Sequence, residues 1–431
     1  MTVACDRPVP ESSPPNILLI SIDALRADHL GFDGYDRATS PELDRLAARG
    51  IRFSQAFVNT HGTPPSHATL LSSLYQETHQ VGVSADRDSH QSLVLPDGLP
   101  LVHEILRDAG WFTVAVTGGG YMAPDFGFDR GFEVFQTPGG RVARGAGTLV
   151  EVLSNRDSDD RPVFAFFHTY QVHSPYKPPP RFRALYGDFP SSIEATSEAL
   201  LEIQGRADEV LTETDFDFLE SQYDGEIRYT DEVLGEMLAS LDEIGFLDHT
   251  VVIITSDHGE EFGEHGGVLH GGTLFDELLR VPLVIAGPGV PLGRVDPALV
   301  TLVDVAPTIL SLAGLPVPSQ MEGRNLLAEH SGEPWAGQRV FAQYGDRLYC
   351  VRTPRWKLIH RPGGVDALFD LRRDPGERRN LATLHPEMGA ELRAEIETWR
   401  AARLRLDPET PRPEQLSPEK IEELRALGYV D

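Results

Sequence analysis

Three short clusters in this chain carry residue types suited to metal-assisted ester chemistry. Asp257-His258-Gly259 follows the apolar run Thr250–Thr255. A carboxylate and an imidazole side by side can hold one divalent ion, and a nitrogen among oxygen donors suits Mn²⁺, Zn²⁺ or Fe²⁺ better than Ca²⁺. Asp23 closes a second apolar run, Asn16–Ile22, where a carboxylate can also serve as a plain helix or loop cap. Thr63-Pro64-Pro65-Ser66-His67 precedes an apolar helix. Its prolines stiffen the turn, and a helix start offers N–H groups and a positive dipole end to an anion. A hydroxyl placed there and activated by a metal can attack phosphorus or sulfur, although the same segment also reads as a capped helix after a loop. The acidic stretch Glu260-Glu261-Phe262-Gly263-Glu264-His265 reads as a solvated loop, so Glu260, Glu261 and Glu264 are expected to lie outside the chemistry.

These clusters need a scaffold that brings strand ends together. Continuous apolar runs at 16–22, 52–58, 112–116, 162–169, 250–255 and 281–285 predict buried strands. Helices are expected after Ser40, with Pro41 at the first position, and over 66–74, 101–109, 198–211, 215–244 and 303–313. This alternation predicts an α/β fold with a large, mainly parallel or mixed sheet flanked by helices. Ligands gather beyond the carboxyl ends of such strands, so Asp23 and Asp257-His258 can be neighbours in space. From about 333 the pattern changes to short hairpin-like strands at 348–352, 356–360 and 367–371, then helices at 386–404 and 418–427. The expected organisation is a disordered leader over 1–15, a catalytic domain over 16–332 and a smaller C-terminal α+β subdomain over 333–431. Residues 139–147 and 180–211 are expected to be loops or irregular segments that shape the substrate site.

Composition narrows the partners. Lys plus Arg number 38 and Asp plus Glu 66, a net charge of −28. Such a surface repels nucleic acid, and an anionic ester needs a local positive centre, which a metal ion supplies. No apolar run reaches the ~18 residues of a spanning helix. Two cysteines make no disulfide framework; Cys350 reads as core. Ala4-Cys5 followed by a Pro/Ser-rich tether is similar to the stub of a bacterial lipoprotein signal without its apolar region. A cell-envelope or periplasmic location is one expectation; a cytoplasmic protein with a disordered tail is the other.

Taken together, Asn16-Ile-Leu-Leu-Ile-Ser-Ile-Asp23, Thr63-Pro-Pro-Ser-His67 and Ser256-Asp-His-Gly-Glu260 resemble the signature blocks of the sulfatase family, within the alkaline phosphatase superfamily, in the family's order. Further family-like stretches are His173-Ser-Pro-Tyr176, Tyr223-Asp224 through Asp231, His270-Gly-Gly-Thr-Leu-Phe-Asp-Glu277, Lys357-Leu358 and Leu368-Phe-Asp-Leu371. The resemblance implies Asp23, Asp257 and His258 as ligands of one divalent metal. It implies Thr63 as nucleophile and transient fourth ligand, with His67, His173 and His270 around the ester's outer oxygens. Asn59 and His61 are weaker candidates, and His79 reads as structural.

The departures matter as much. Authentic sulfatases carry Cys-x-Pro-Ser-Arg, whose Cys becomes formylglycine. Here Thr63 stands for that Cys and His67 for that Arg. Thr cannot become formylglycine, so release by elimination from an aldehyde hydrate is closed to it. The family's paired Asp-Asp is Asp23-Ala24, and a usual Lys position is His270. This set is similar to phosphonate monoester hydrolases and related phosphodiesterases. The expected substrate is a small-molecule, glycan or lipid-head-group anionic ester, as phosphodiester or phosphonate monoester. A sulfuric ester is the alternative within the family, and a catalytically inactive anion- or glycan-binding protein the alternative of another class. Unperturbed histidines would make activity depend on pH between ~5 and ~8.

Overall fold

The computed structural model describes residues 13–83, 90–156, 159–187, 189–328, 339–403 and 416–427. Cys5, most of the expected leader and the expected domain boundary near 332 lie outside the described residues. The strands are β1 (Asn16–Ile22), β2 (Gly50–Phe57), β3 (Phe112–Val116), β4 (Val134–Gln136), β5 (Val163–Thr169), β6 (Thr250–Thr255), β7 (Glu261–Phe262), β8 (Val268–Leu269), β9 (Leu283–Ala286), β10 (Arg294–Thr301), β11 (Val340–Tyr344), β12 (Leu348–Arg352), β13 (Trp356–His360) and β14 (Ala367–Asp370). Eight of them form one mixed sheet in the order β10-β2-β9-β6-β1-β5-β3-β4. β9 runs antiparallel to both neighbours, and every other pairing is parallel.

The sheet is covered on both faces, which is why its central strands read as unbroken apolar runs. In β1, Ile17 and Leu19 enter one core while Leu18, Ile20 and Ile22 enter the other. Because β1 is hydrogen-bonded between β5 and β6, the carboxyl ends of three parallel strands lie side by side. Asp23, His168 and Asp257 all stand there. The 31-residue helix Glu213–Glu243 braces the connections above this edge. Its Tyr223 hydroxyl donates to the Ala24 carbonyl at 2.7 Å, and its Asp231 carboxylate accepts from the Glu42 and Leu43 amides at the start of helix Pro41–Ala47. The family-like Tyr223–Asp231 stretch therefore acts as a strut.

Several boundaries differ from expectation for identifiable reasons. The helix expected from 66 begins at Thr63, because Pro64 and Pro65 are tolerated in a first turn that lacks intrahelical N–H partners. The helix expected over 198–211 is broken into Ser197–Leu201 and Ala207–Val210. Residues 142–147, expected as loop, belong to helix Val142–Ser154, whose Val142, Ala146, Leu149 and Leu153 form a buried stripe despite two glycines. Gly145 lets that helix close on the sheet, since a Cβ there would meet the Phe167 ring at 3.1 Å. β4, β7, β8, β10 and β11 were not expected.

β11–β14 form a separate antiparallel sheet in sequential order, backed by helix Pro386–Ala401. One side of it shares the main core through Val340, Ala342, Leu348 and Cys350. Its strongest tie is ionic. Lys357, fully buried, places Nζ 2.8 Å from both Asp276 and Glu377. Arg352 also pairs with Asp276, and Glu377 accepts from the Asp276 amide at 2.7 Å. Breaking one partner of a buried ion network strands the others. Lys357→Met should therefore cost about 3–5 kcal/mol in urea unfolding, and adding Glu377→Gln should restore part of the loss. A loss below about 1 kcal/mol would refute this role.

Candidate active site

Asp23 and Asp257 sit just beyond the ends of β1 and β6, and both are fully buried. Each carboxylate divides its oxygens between scaffold and site. Asp257 Oδ1 accepts from the Ala24 and His258 amides at 3.3 and 3.0 Å. Asp23 Oδ2 accepts from the Thr63 hydroxyl at 3.2 Å and lies 3.4 Å from His168 Nε2. The remaining oxygens, Asp257 Oδ2 and Asp23 Oδ1, lie 3.5 and 3.7 Å from His258 Nε2. All three atoms are buried without a hydrogen-bond partner. His258 Nδ1 donates to the Gly259 carbonyl at 2.9 Å, which leaves the lone pair on Nε2.

That triad fits a divalent cation. Its ligand atoms lie within 4.8 Å of one another, and bonds of about 2.0–2.2 Å to a common ion are compatible with such spacing. The electrostatics agree. Burial raises the Asp23 carboxyl, and burial with Asp23 alongside raises Asp257. Burial works to lower His258, but Asp257 and Asp23 outweigh it and raise it. Two adjacent buried carboxylates are costly unless a cation joins them.

The backbone is shaped to this end. Ala24, at φ 58°, turns the chain sharply after Asp23, a left-handed conformation costing about 1 kcal/mol or more for a residue with a Cβ. Gly259 is required by close approach: a Cβ there would lie 1.9 Å from the Glu277 carbonyl. Gly62, at φ 97°, caps helix Thr63–Ser72. Since Pro64 and Pro65 have no N–H, only Thr63 among the first three helical residues has one to offer. The expected cluster of amides is replaced by the dipole alone. Ser66 donates to the Asp257 carbonyl at 2.6 Å and ties the helix to β6.

His67 lies one helical turn after Thr63. Its Nδ1 meets the Thr63 carbonyl at 2.8 Å, and its Nε2 meets Ser21 Oγ at 2.9 Å. It is also 3.6 Å from Asp257 Oδ2. His173 and His270 come together with ring centroids 4.9 Å apart, and His270 lies 4.2 Å from His258. His61 stacks on Tyr344 at 4.5 Å, and Asn59 donates to the Phe341 carbonyl at 2.8 Å, so both line up against β11. His79 is buried apart from this group, bonded to Thr69 Oγ1 and the Val81 amide. His168 was missed by sequence reasoning. It lies inside an apolar strand with no motif around it, and only its register opposite Ser21 betrays its place.

Two expectations are corrected. Glu260 and Glu261 are buried rather than solvated, and Glu264 pairs with Arg26. The histidines do not keep ordinary pKa values. Burial holds His61 at about 3 and His67 and His168 at about 4, and pushes His173 and His270 down. Titration of His61, His67 and His168 between pH 5 and 8 is therefore not expected. A second group, Glu261, His265 and Glu277, also clusters, but His265 Nδ1 pairs with Glu277 and its Nε2 meets the Glu377 carbonyl at 3.2 Å.

Metal analysis after dialysis against Mn²⁺ or Zn²⁺ checks the triad. Asp257→Asn and His258→Ala should lose stoichiometric metal with unchanged far-UV circular dichroism, and Thr63→Ala should retain it. His168→Phe, which removes a partner of Asp23 and the acceptor of the Gly118 amide, should weaken metal affinity by roughly 10–100-fold. Full metal retention in His258→Ala would exclude this ligand set.

Comparison with known proteins agrees in order and extent. The family model described as Sulfatase matches residues 15–315, and one described as N-sulphoglucosamine sulphohydrolase, C-terminal, matches 263–402. The chain is 25% identical to an arylsulfatase of Clostridium perfringens over 438 residues, covering 85% of this chain and 90% of that protein. It is 27% identical to a choline-sulfatase of Rhizobium meliloti, covering 85% and 82%. The match to arylsulfatase K of Bos taurus is 34% over 180 residues and spans 38% of this chain and a third of that protein (33%). Among solved structures, a phosphonate monoester hydrolase of Agrobacterium radiobacter superposes with a TM-score of 0.74 at 24% identity, covering 90% and 96% of the two chains. With its motifs in the family's order on the family's fold, this chain belongs to the sulfatase family of ester hydrolases.

Proposed function

We propose that this chain hydrolyses a phosphodiester or phosphonate monoester with Thr63 as nucleophile and without formylglycine. The observation that carries the reading is the Thr63 hydroxyl, 3.2 Å from Asp23 Oδ2 and next to the three unpartnered ligand atoms. Asp23, Asp257 and His258 would hold one divalent ion, which when bound supplies a Lewis acid beside that hydroxyl. Asp23 Oδ2 already accepts the Thr63 proton and can draw it off as Oγ1 attacks phosphorus. The bond from phosphorus to the leaving oxygen breaks, and the proton drawn from Thr63 passes to that oxygen, with His173 or His270 relaying it. Water then attacks phosphorus, the Thr63–phosphorus bond breaks, and Thr63 recovers its proton. His67, held between Ser21 and the Thr63 carbonyl, keeps the first turn of the helix in register with Asp257.

The choice of phosphorus follows from the nucleophile. A phosphorylated threonine is released by water attack at phosphorus, whereas a sulfated threonine, lacking the aldehyde hydrate's elimination route, tends to stall. A sulfuric ester is kept as the second reading because the family model and the arylsulfatase and choline-sulfatase relatives favour it. The described residues contain no helix long and apolar enough to cross a membrane.

A nitrophenyl panel of sulfate, phosphate monoester, phosphodiester and phenylphosphonate, each with Mn²⁺, Zn²⁺ or Ca²⁺, tests the assignment. Metal-dependent turnover should appear on the diester or phosphonate and fall by at least about 10³-fold in Thr63→Ala. Multiple turnover of the sulfate with Thr63 unmodified would overturn the choice of phosphorus. Stable anion binding with no alcohol released from any ester would favour the non-catalytic alternative.

A further inference from the structure

The turn between β11 and β12 stands against the segment that leads to Thr63. The Gln343 amide donates to the Asn59 carbonyl at 2.9 Å, which with the bond from Asn59 to Phe341 fastens β11 to that segment. Gln76 adds a second tie. Its Oε1 accepts from the Thr60 hydroxyl at 3.1 Å and from the Gly345 amide at 3.2 Å. Gly345, at φ 52°, and a 3.1 Å bond from the Arg347 amide to the Tyr344 carbonyl close the turn. Turn and nucleophile segment are therefore held as one piece.

Burial falls off along His61, Tyr344 and Arg347. His61 is buried, and after burial itself His258 and His270 are near enough to push its pKa down further. Tyr344 stacks on it with ring centroids 4.5 Å apart and is half-buried. The Arg347 guanidinium, also half-buried, lies over the Tyr344 ring at 5.6 Å. Around the same sheet, Arg339, Arg352 and Arg355 pair with Glu395, Asp276 and Asp370. Arg347 has no ion-pair partner among the described residues, and Asp346 beside it is exposed. A guanidinium over an aromatic face keeps its N–H edges for a carboxylate or another oxyanion. In a chain of net charge −28, that cation is placed where an anion would meet it on the way to the triad. Resting on the reading of Thr63 and the triad as the reaction centre, we propose that Tyr344 and Arg347 form a subsite at the rim of the active site that binds an anionic group, such as a carboxylate, on the organic part of the ester.

The test reads charge recognition by binding. Metal-loaded Thr63→Ala, alone and combined with Arg347→Gln, Arg347→Lys or Tyr344→Leu, is titrated calorimetrically with two pairs of esters. One pair is 3-carboxyphenyl and 3-carbamoylphenyl phenylphosphonate, with the charge on the leaving side. The other is phenyl 3-carboxyphenylphosphonate and its carbamoyl counterpart, with the charge on the retained side. For one pair, Arg347→Gln should weaken the carboxylate ester roughly five- to tenfold relative to its neutral counterpart, whose Kd should stay within about twofold. The pair that responds identifies the side of the ester that the subsite holds. Arg347→Lys should keep part of the preference, Tyr344→Leu should narrow it, and salt at about 0.5 M should shrink it. An unchanged ratio in both pairs, equal losses on charged and neutral esters, or no binding of any ester would overturn the subsite. Because binding is measured without turnover, these outcomes leave the Thr63 reading to the nitrophenyl panel, where it stands or falls separately.

Discussion

Two carboxylates buried side by side make the demand that the rest of this structure answers. Asp23 and Asp257 stand at the ends of adjacent strands, each with one oxygen bound by the protein and one left facing His258 Nε2. Without a cation their proximity is repulsive and their burial costly. The scaffold nevertheless fixes them. Ala24 takes a left-handed turn, Tyr223 and Ser256 hold the loop backbone, and Ser66 ties helix Thr63–Ser72 to the end of β6. These ties spend conformational freedom on a geometry that fits a divalent cation.

The chain from 257 to 277 carries Asp257, His258 and His270, and it is anchored from two sides. Arg26, from the end of β1, bonds the Glu260 carbonyl and pairs with Glu264. Asp276 is held by Lys357 and Arg352 from the C-terminal sheet. The smaller sheet thus fixes one wall of the site while sharing the main hydrophobic core. Buried ion pairs contribute little net stability, but they specify one arrangement, and this network specifies the segment nearest the chemistry.

By the family resemblance, His67 stands where sulfatases carry an arginine and His270 where they usually carry a lysine, and burial changes what such a replacement means. An exposed histidine would bring charge near pH 6.5. Here desolvation keeps His67 and His168 neutral down to about pH 4, so they serve as hydrogen-bonding struts. In a chain of net charge −28, these neutral rings supply no positive potential for an anionic ester.

The chain's local chemistry was open to reading. Apolar runs before Asp23 and Asp257 announced strands with carboxylates beyond their ends, and Thr63-Pro-Pro announced a stiff helix start, because strand periodicity and turn chemistry act over a few residues. The fold class followed from the alternation of those elements. Other features depended on contacts between distant segments. His168 is one apolar-strand residue among many until β5 is placed beside β1. Glu260 looks solvated until Tyr176 and His270 arrive from elsewhere in the chain. Helix Val142–Ser154 forms over two glycines because the sheet rewards its buried stripe. Burial, and with it each histidine's charge, is decided by what packs against a residue, and packing partners are chosen by tertiary structure rather than by neighbours in sequence.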